Sequence, residues 1–285
     1  MRFIQAKSLL TRWNGMNLYR GCMHGCAYCD SRSVCYHIEH DFEDVAVKAN
    51  APELLEDILR RRRKPCMIGT GSMSDPYQPI ERDLRLTRRC LELIYDYGFG
   101  ASVITKSDLV LRDIDLLADI NRRTKAVVQV TLTIADDELS RMVEPGVCPS
   151  SRRFEVLCDL RDRHIPTIVW LCPFLPWLTD TDENFLTLLN WCIEAQVKGI
   201  VCFGVGLTLR EGNREHYYAF LDQHFPGLSD RYRATYGNVY NVVSENNDHL
   251  MASFSKVCGE RGILHTPDEC FAYAAAFPEL QPRLF

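Results

Sequence analysis

A chain of 285 residues, 46% apolar and 25% charged, is long enough to bury one large α/β core. No run of about eighteen apolar residues is present, which excludes a membrane-spanning helix. Met1–Thr11 also lacks the apolar core of a secretory signal, so a cytoplasmic protein is expected. The formal charge of −5 gives no general attraction to nucleic acid, although a local basic groove would escape such a count.

In chain order, Met16–Tyr19 predicts a short strand entering a cysteine-rich loop. Pro52–Arg62 follows as a helix with Leu54, Leu55, Ile58 and Leu59 on one face, and Pro65–Ile68 as a strand ending in Gly69-Thr70-Gly71. The alternation continues with a helix over Thr87–Tyr97 closed by Gly98, a strand at Ala101–Thr105, a helix over Arg112–Arg122 and a strand at Val127–Thr133. Ser151–Arg163 and Asp182–Gln196 predict helices, with strands at Thr167–Cys172 and Gly199–Phe203. Six strands, each followed by a helix, imply parallel strands with right-handed crossovers. A partial barrel and an open doubly wound sheet both satisfy that pattern, but no glycine-rich dinucleotide loop follows the first strand. Beyond Val205 the text turns polar and helical, with runs at Glu211–His224 and Asn246–Gly262. The expected division is an N-terminal segment (1–15), a catalytic domain (16–206) and a helical extension (207–285).

Ten of the thirteen cysteines are scattered, and those inside apolar runs, such as Cys66, Cys172 and Cys202, need no role beyond a small apolar side chain. The other three form Cys22-x3-Cys26-x2-Cys29, with Gly21 and Gly25 allowing a tight loop. Thiolates are the preferred ligands of iron–sulfur clusters. Three of them leave one iron of a cubane without a protein ligand, open to an amine and a carboxylate such as methionine carries. The competing reading is zinc, with His24, Asp30 or Cys35 as fourth ligand, in a non-catalytic module that binds nucleic acid or a protein partner. A zinc site normally pairs two C-x2-C arms, and no second arm is visible. Cys35-x-His37-x2-His40 also lacks a partner arm and is left out of the site.

Other candidates lie where strands end. The segment Gly69-Thr70-Gly71-Ser72-Met73-Ser74-Asp75 is longer than a simple turn. Its glycines permit close approach of a ligand, and Asp75 could accept from an ammonium group. Lys106 could neutralise a carboxylate, and Thr131 could bond a ribose. Arg152-Arg153 stands at a helix start, the wrong end of the dipole for a cation, which hints at an anionic partner. The run Arg60–Lys64 closes a helix and suits its C-terminal dipole. The tyrosines at 217, 218, 232, 236 and 240, and Cys258 and Cys270, receive no role.

The cysteine motif directly after a first strand, with Tyr28 before the third cysteine, resembles the radical S-adenosylmethionine (SAM) superfamily. Asn17-Leu18-Tyr19-Arg20 ahead of the motif, Asp75-Pro76-Tyr77-Gln78-Pro79-Ile80-Glu81, Thr105-Lys106-Ser107 with Leu111-Arg112-Asp113, and Glu144-Pro145 resemble its spore photoproduct lyase-like branch. The resemblance spans roughly residues 15 to 210. It implies an α/β fold, a partial (β/α)6 TIM-type barrel, with a [4Fe–4S] cluster on Cys22, Cys26 and Cys29. By the resemblance Lys106 and Thr131 fall on positions that contact SAM, and Gly69, Thr70, Gly71, Ser72, Ser74, Asp75 and Arg153, read from the residues themselves, are the other expected contacts. A flavodoxin or ferredoxin would supply low-potential electrons, and the reaction would release methionine and a 5′-deoxyadenosyl radical that abstracts hydrogen from a substrate the sequence does not identify. One position departs from the pattern. Ser72 stands where the lyase carries a hydrogen-donor cysteine, and a serine O–H bond is too strong to return hydrogen to a carbon radical. The lyase's own repair reaction therefore does not carry over with the resemblance.

Overall fold

The computed structural model describes residues 1–278. It opens with β1 (Arg2–Ile4), β2 (Gly15–Met16), β3 (Tyr19–Arg20) and, past the cysteine loop, β4 (Ala46–Lys48). The strand expected over Met16–Tyr19 is thus divided between two sheets. Met16 pairs with Thr70 in the main sheet, whereas Tyr19 pairs with Val47 in a small three-stranded one. The Tyr19 hydroxyl donates to the buried carboxylate of Glu81. This change of sheet swings the following residues, the cysteine loop, over the end of the barrel.

Strand and helix then alternate: α1 (Ala51–Arg61), β5 (Met67–Thr70), α2 (Glu81–Leu84), α3 (Leu86–Asp96), β6 (Gly100–Thr105), α4 (Ile114–Arg123), β7 (Ala126–Thr131), α5 (Asp137–Val143), α6 (Ser150–Asp162), β8 (Thr167–Trp170), α7 (Asp182–Glu194) and β9 (Gly199–Val201). The main helices lie where the apolar spacing places them. β5 starts two residues later than expected, at Met67, and runs through Gly69, because Gly69 and Thr70 pair with Ser102 and Val103. After β9 come β10 (Gly206–Thr208), α8 (Asn213–His224), α9 (Leu228–Tyr236), β11 (Asn241–Val243), α10 (Asn247–Arg261) and α11 (Pro267–Ala275). The extension is therefore not purely helical. β10 and β11 pair antiparallel across the intervening helices, and strands of three residues are too short to leave an alternating pattern in the text. Residues 279–285 of the expected extension lie outside the described residues.

The main sheet has the order β2-β5-β6-β7-β8-β9, parallel throughout. Each strand is added on the same side of the last. A doubly wound sheet reverses its strand order at a switch point, and this one does not, so the sheet curls into an incomplete (β/α)6 barrel. Leu55, Leu91, Leu117, Leu157 and Leu188, one from each main helix, share a core with Val103, Val128, Val130, Val169 and Ile200 on the outer face of the strands.

The inner face is layered by the two-residue period of the strands. At the floor Met67, Val127, Ile168 and Val201 pack against Cys270 and Ala274 of α11. Above them Gln129 donates to Ser102 Oγ at 2.9 Å and accepts from Trp170 Nε1 at 2.7 Å, a polar layer with its bonds satisfied. One step higher Gly71, Ile104, Thr131, Cys172 and Phe203 line an open cavity. Among the described residues no helix is long and apolar enough to cross a membrane.

Candidate cluster and cofactor site

The cysteine loop is fastened from both sides. Gly21 has φ of +88°, and a Cβ there would lie 2.3 Å from the Phe42 carbonyl oxygen, so the turn requires glycine. The Cys22 N–H donates to that same carbonyl at 2.9 Å. On one flank Met23 N–H donates to Gln78 Oε1 at 3.0 Å, and His24 Nδ1 stands 3.5 Å from Asp75. On the other, Ala27 N–H donates to Val143 O and Gly146 N–H to His24 O, both at 2.9 Å. The Tyr28 hydroxyl donates to the buried carboxylate of Glu144.

All three thiols are free; Cys22 and Cys26 are buried and Cys29 half-buried. Burial pushes the Cys22 thiol up to about 12, with the Asp75 carboxylate adding to the rise. Burial also lifts Cys26 well above its ordinary range, against the nearby Lys106 ammonium. Coordination to a metal takes the place of the proton on such thiols. Among the described residues no three His, Cys, Asp or Glu side chains converge on one metal-ion position. Three thiols on one short loop are a donor set that suits a cubane, one thiolate to each of three irons.

Cys29 and Tyr28 form one wall of a cavity of about 900 Å³ at the C-terminal ends of the strands, where parallel barrels carry their sites. Gly71, Ser72, Lys106 and Thr131 stand on the same cavity, as the sequence suggests. Gly71 has φ of +101°, and a Cβ there would lie 2.1 Å from Ile104 O. Lys106 is half-buried, with its ammonium 5.8 Å from the Tyr28 ring centroid. Burial disfavours its charge, but Cys26, Glu144 and Cys29 outweigh burial and raise its pKa.

Five other expected contacts are not part of the cavity lining. Gly69 and Thr70 lie within β5. Ser74 Oγ donates to Tyr19 O at 3.0 Å. Asp75 is occupied internally, accepting from Tyr77 N–H at 2.8 Å and from Thr105 Oγ1 and Lys106 N–H, both at 2.7 Å. It braces the loop and the end of β6 instead of offering an acceptor to a ligand. Arg153 is fully buried, and the anion it faces is Glu144 of this same chain. Its neighbour Arg152 pairs with Asp108 and Glu155, so the cations at this helix start are balanced from within.

The far wall was not apparent in the sequence. Trp170, Cys172 and Phe203 reach it from strand ends, and Tyr240, Val242 and Asn247 from the β10–β11 pair and the start of α10. Trp170, Phe203 and Phe271 cluster at its edge with ring centroids 5.8–6.2 Å apart. A strand-end position was a usable signal for Cys172; nothing local marked the residues of the β10–β11 pair.

A loop of three free thiols opening on a cavity at the strand ends of a partial barrel defines a class, and the chain matches that class as a family. Residues 16–207 match the Radical SAM superfamily, and the chain belongs to it. The fold is also that of spore photoproduct lyase. A variant of that enzyme superposes with a TM-score of 0.67 at 12% identity, over 93% of this chain and 80% of the other. Another variant, with bound AdoMet and dinucleoside spore photoproduct, gives 0.63 at 13% identity with the same coverage. At such identity the likeness is one of fold. An uncharacterized protein of Mycobacterium tuberculosis (strain ATCC 25618 / H37Rv) is 33% identical over 229 residues, covering 78% of this chain and 66% of that protein. The chain thus spans just under two thirds of that relative's length. As a superfamily member the protein is a radical SAM enzyme.

Proposed function

We propose that Cys22, Cys26 and Cys29 hold three irons of the cluster and leave the fourth to SAM. The observation that carries this reading is the placement of three free thiols on one clamped loop, with Cys29 on the same cavity as Gly71, Lys106 and Thr131. When bound and reduced, the cluster supplies the electron that splits SAM into methionine and a 5′-deoxyadenosyl radical.

The chain's own residues bind and orient. The Lys106 ammonium, kept protonated by its anionic surroundings, neutralises the carboxylate of the methionine moiety. The backbone at Gly71-Ser72, free of a Cβ at its tightest point, lets the cofactor approach the strand ends. The Thr131 hydroxyl is a partner for the ribose. The substrate, whose C–H bond would give up hydrogen, occupies the half of the cavity walled by Trp170, Phe203 and Tyr240, an apolar and aromatic face. Residues 16–206 act as the catalytic domain, and Leu207, Tyr240, Val242 and Asn247 of the extension complete the substrate side. A flavodoxin or ferredoxin supplies the electron, and the abundance of free thiols suits the reducing cytoplasm.

The test is anaerobic reconstitution with iron and sulfide, then dithionite and SAM, with 5′-deoxyadenosine as product. About four irons per chain, and product abolished by Cys26→Ala, are the expected results. Tight zinc without iron uptake or SAM cleavage would replace this reading with that of a metal-stabilised binding module.

A further inference from the structure

Glu144 and Arg153 are both fully buried and face each other as an ion pair. The Arg153 guanidinium spends every nitrogen on the protein. Nε donates to Cys148 O at 3.2 Å, Nη1 to Thr131 O at 2.8 Å, and Nη2 to Ser140 Oγ at 3.2 Å and to Glu144. The second Glu144 oxygen accepts from the Tyr28 hydroxyl, between Cys26 and Cys29. A continuous relay therefore runs from the end of β7, whose Thr131 lines the cavity, to the cysteine loop. The backbone reinforces it: residues 143–146 lie against 24–28 through the bonds of Ala27 and Gly146. A Cβ on Gly146 would come within 2.7 Å of His24 Cα, so the two segments are in close contact.

A buried ion pair contributes little net stability, because desolvation offsets its attraction. What a fully bonded pair does provide is a fixed geometry. We infer that Glu144 and Arg153 are a positioning pair that locks the Cys26–Cys29 half of the loop against the end of β7, presetting these thiols before the cluster arrives. The inference rests on the reading that Cys22, Cys26 and Cys29 are the cluster ligands. It assigns to Tyr28 the part of transmitting the pair's position to the thiols on either side, the support that ligands of a metal site need.

The first experiment uses the full-length apo-protein and iodoacetamide, with modification of each cysteine followed by mass spectrometry. Glu144→Gln removes the charge, and the near-isosteric Tyr28→Phe removes only the hydroxyl. Both variants should speed alkylation of Cys26 by about tenfold, the effect on local opening of losing one hydrogen bond to a charged group. Cys192 and Cys258, buried in the main core, serve as internal controls and should keep their wild-type rates. After reconstitution, Tyr28→Phe should also alter the EPR spectrum of the reduced cluster with SAM. An unchanged Cys26 rate in both variants would overturn the inference. So would an equal rise at Cys192 and Cys258 in both, since the pair would then be a general stabiliser. Failure of the wild-type chain to assemble a cluster would instead remove the reading beneath it, and the apo-protein result would still decide whether the clamp exists.

Discussion

At Lys106 two opposing effects meet, and their balance decides what the residue does. Burial favours the neutral amine, while Cys26, Glu144 and Cys29 favour the ammonium and prevail. A cation held this way is available to a carboxylate. Lys106→Met should therefore weaken SAM binding to the reconstituted enzyme by about tenfold or more, the equivalent of ~1.4 kcal/mol or above. Calorimetric titration would measure it, and unchanged affinity would place the carboxylate elsewhere. Glu144 shows the converse balance. Burial raises its pKa, but the Arg153 guanidinium and the Lys106 ammonium hold the carboxyl below its usual range. A carboxyl depressed in the folded state stabilises the protein above its unfolded pKa, and that contribution is lost as the pH falls through its folded pKa. The melting temperature of the apo-protein should thus fall on acidification below about pH 4.3, and less steeply in Glu144→Gln, as thermal melts across that range would show. In the sequence the cysteine spacing and Lys106 were legible, because each is local chemistry at a strand end. The role of Arg153 was not, since its partner lies nine residues away in another element and only the fold brings both into one buried place.

Among the elements, the turn into the cysteine loop is the most constrained. Gly21 combines a left-handed φ with a backbone oxygen where a side chain would begin. Gly21→Ala should add roughly 1–2 kcal/mol of backbone strain and, to relieve the clash, move Cys22 off its bond to Phe42. The expected result is a folded protein by circular dichroism that takes up clearly less iron than wild type; full iron loading would show that the loop tolerates the shift. The helices were readable because each sets a run of apolar residues against the sheet, as α1 does with Leu55 and Leu59. Strand ends were less so. Where β5 stops depends on pairing with β6, a matter of register between segments about thirty residues apart. The β10–β11 pair was not readable at all. Each strand has three residues, and their partnership exists only once α8 and α9 have folded between them.

For the molecule as a whole, the inner layers of the barrel divide the labour. The apolar floor supports a satisfied polar layer, and that layer supports the cavity. α11 completes the floor by covering Met67, Val127, Ile168 and Val201. Its approach is close: a Cβ on Gly199 would lie 2.8 Å from Cys270 Sγ. Ending the chain before Pro267 would re-expose side chains worth about 1.5–3 kcal/mol each when fully buried, against a typical total stability of about 5–15 kcal/mol. Such a truncation should lower the melting temperature sharply and bind the dye ANS, as fluorescence and size-exclusion chromatography would show. A truncated chain that melts like the intact one would mean the floor holds without its cover.

The position of α11 also has a consequence for the order of events on the ribosome. The strands are synthesised in the order in which they stand side by side, so each stave can dock on its predecessor as it emerges. The helix that plugs their lower ends is synthesised only after β9 and the five helices and strands that follow it. Until then the nascent barrel has an open, greasy underside, the kind of surface that chaperones hold. The interval between completing the last stave and seating the plug is therefore when a newly made chain is most exposed to aggregation.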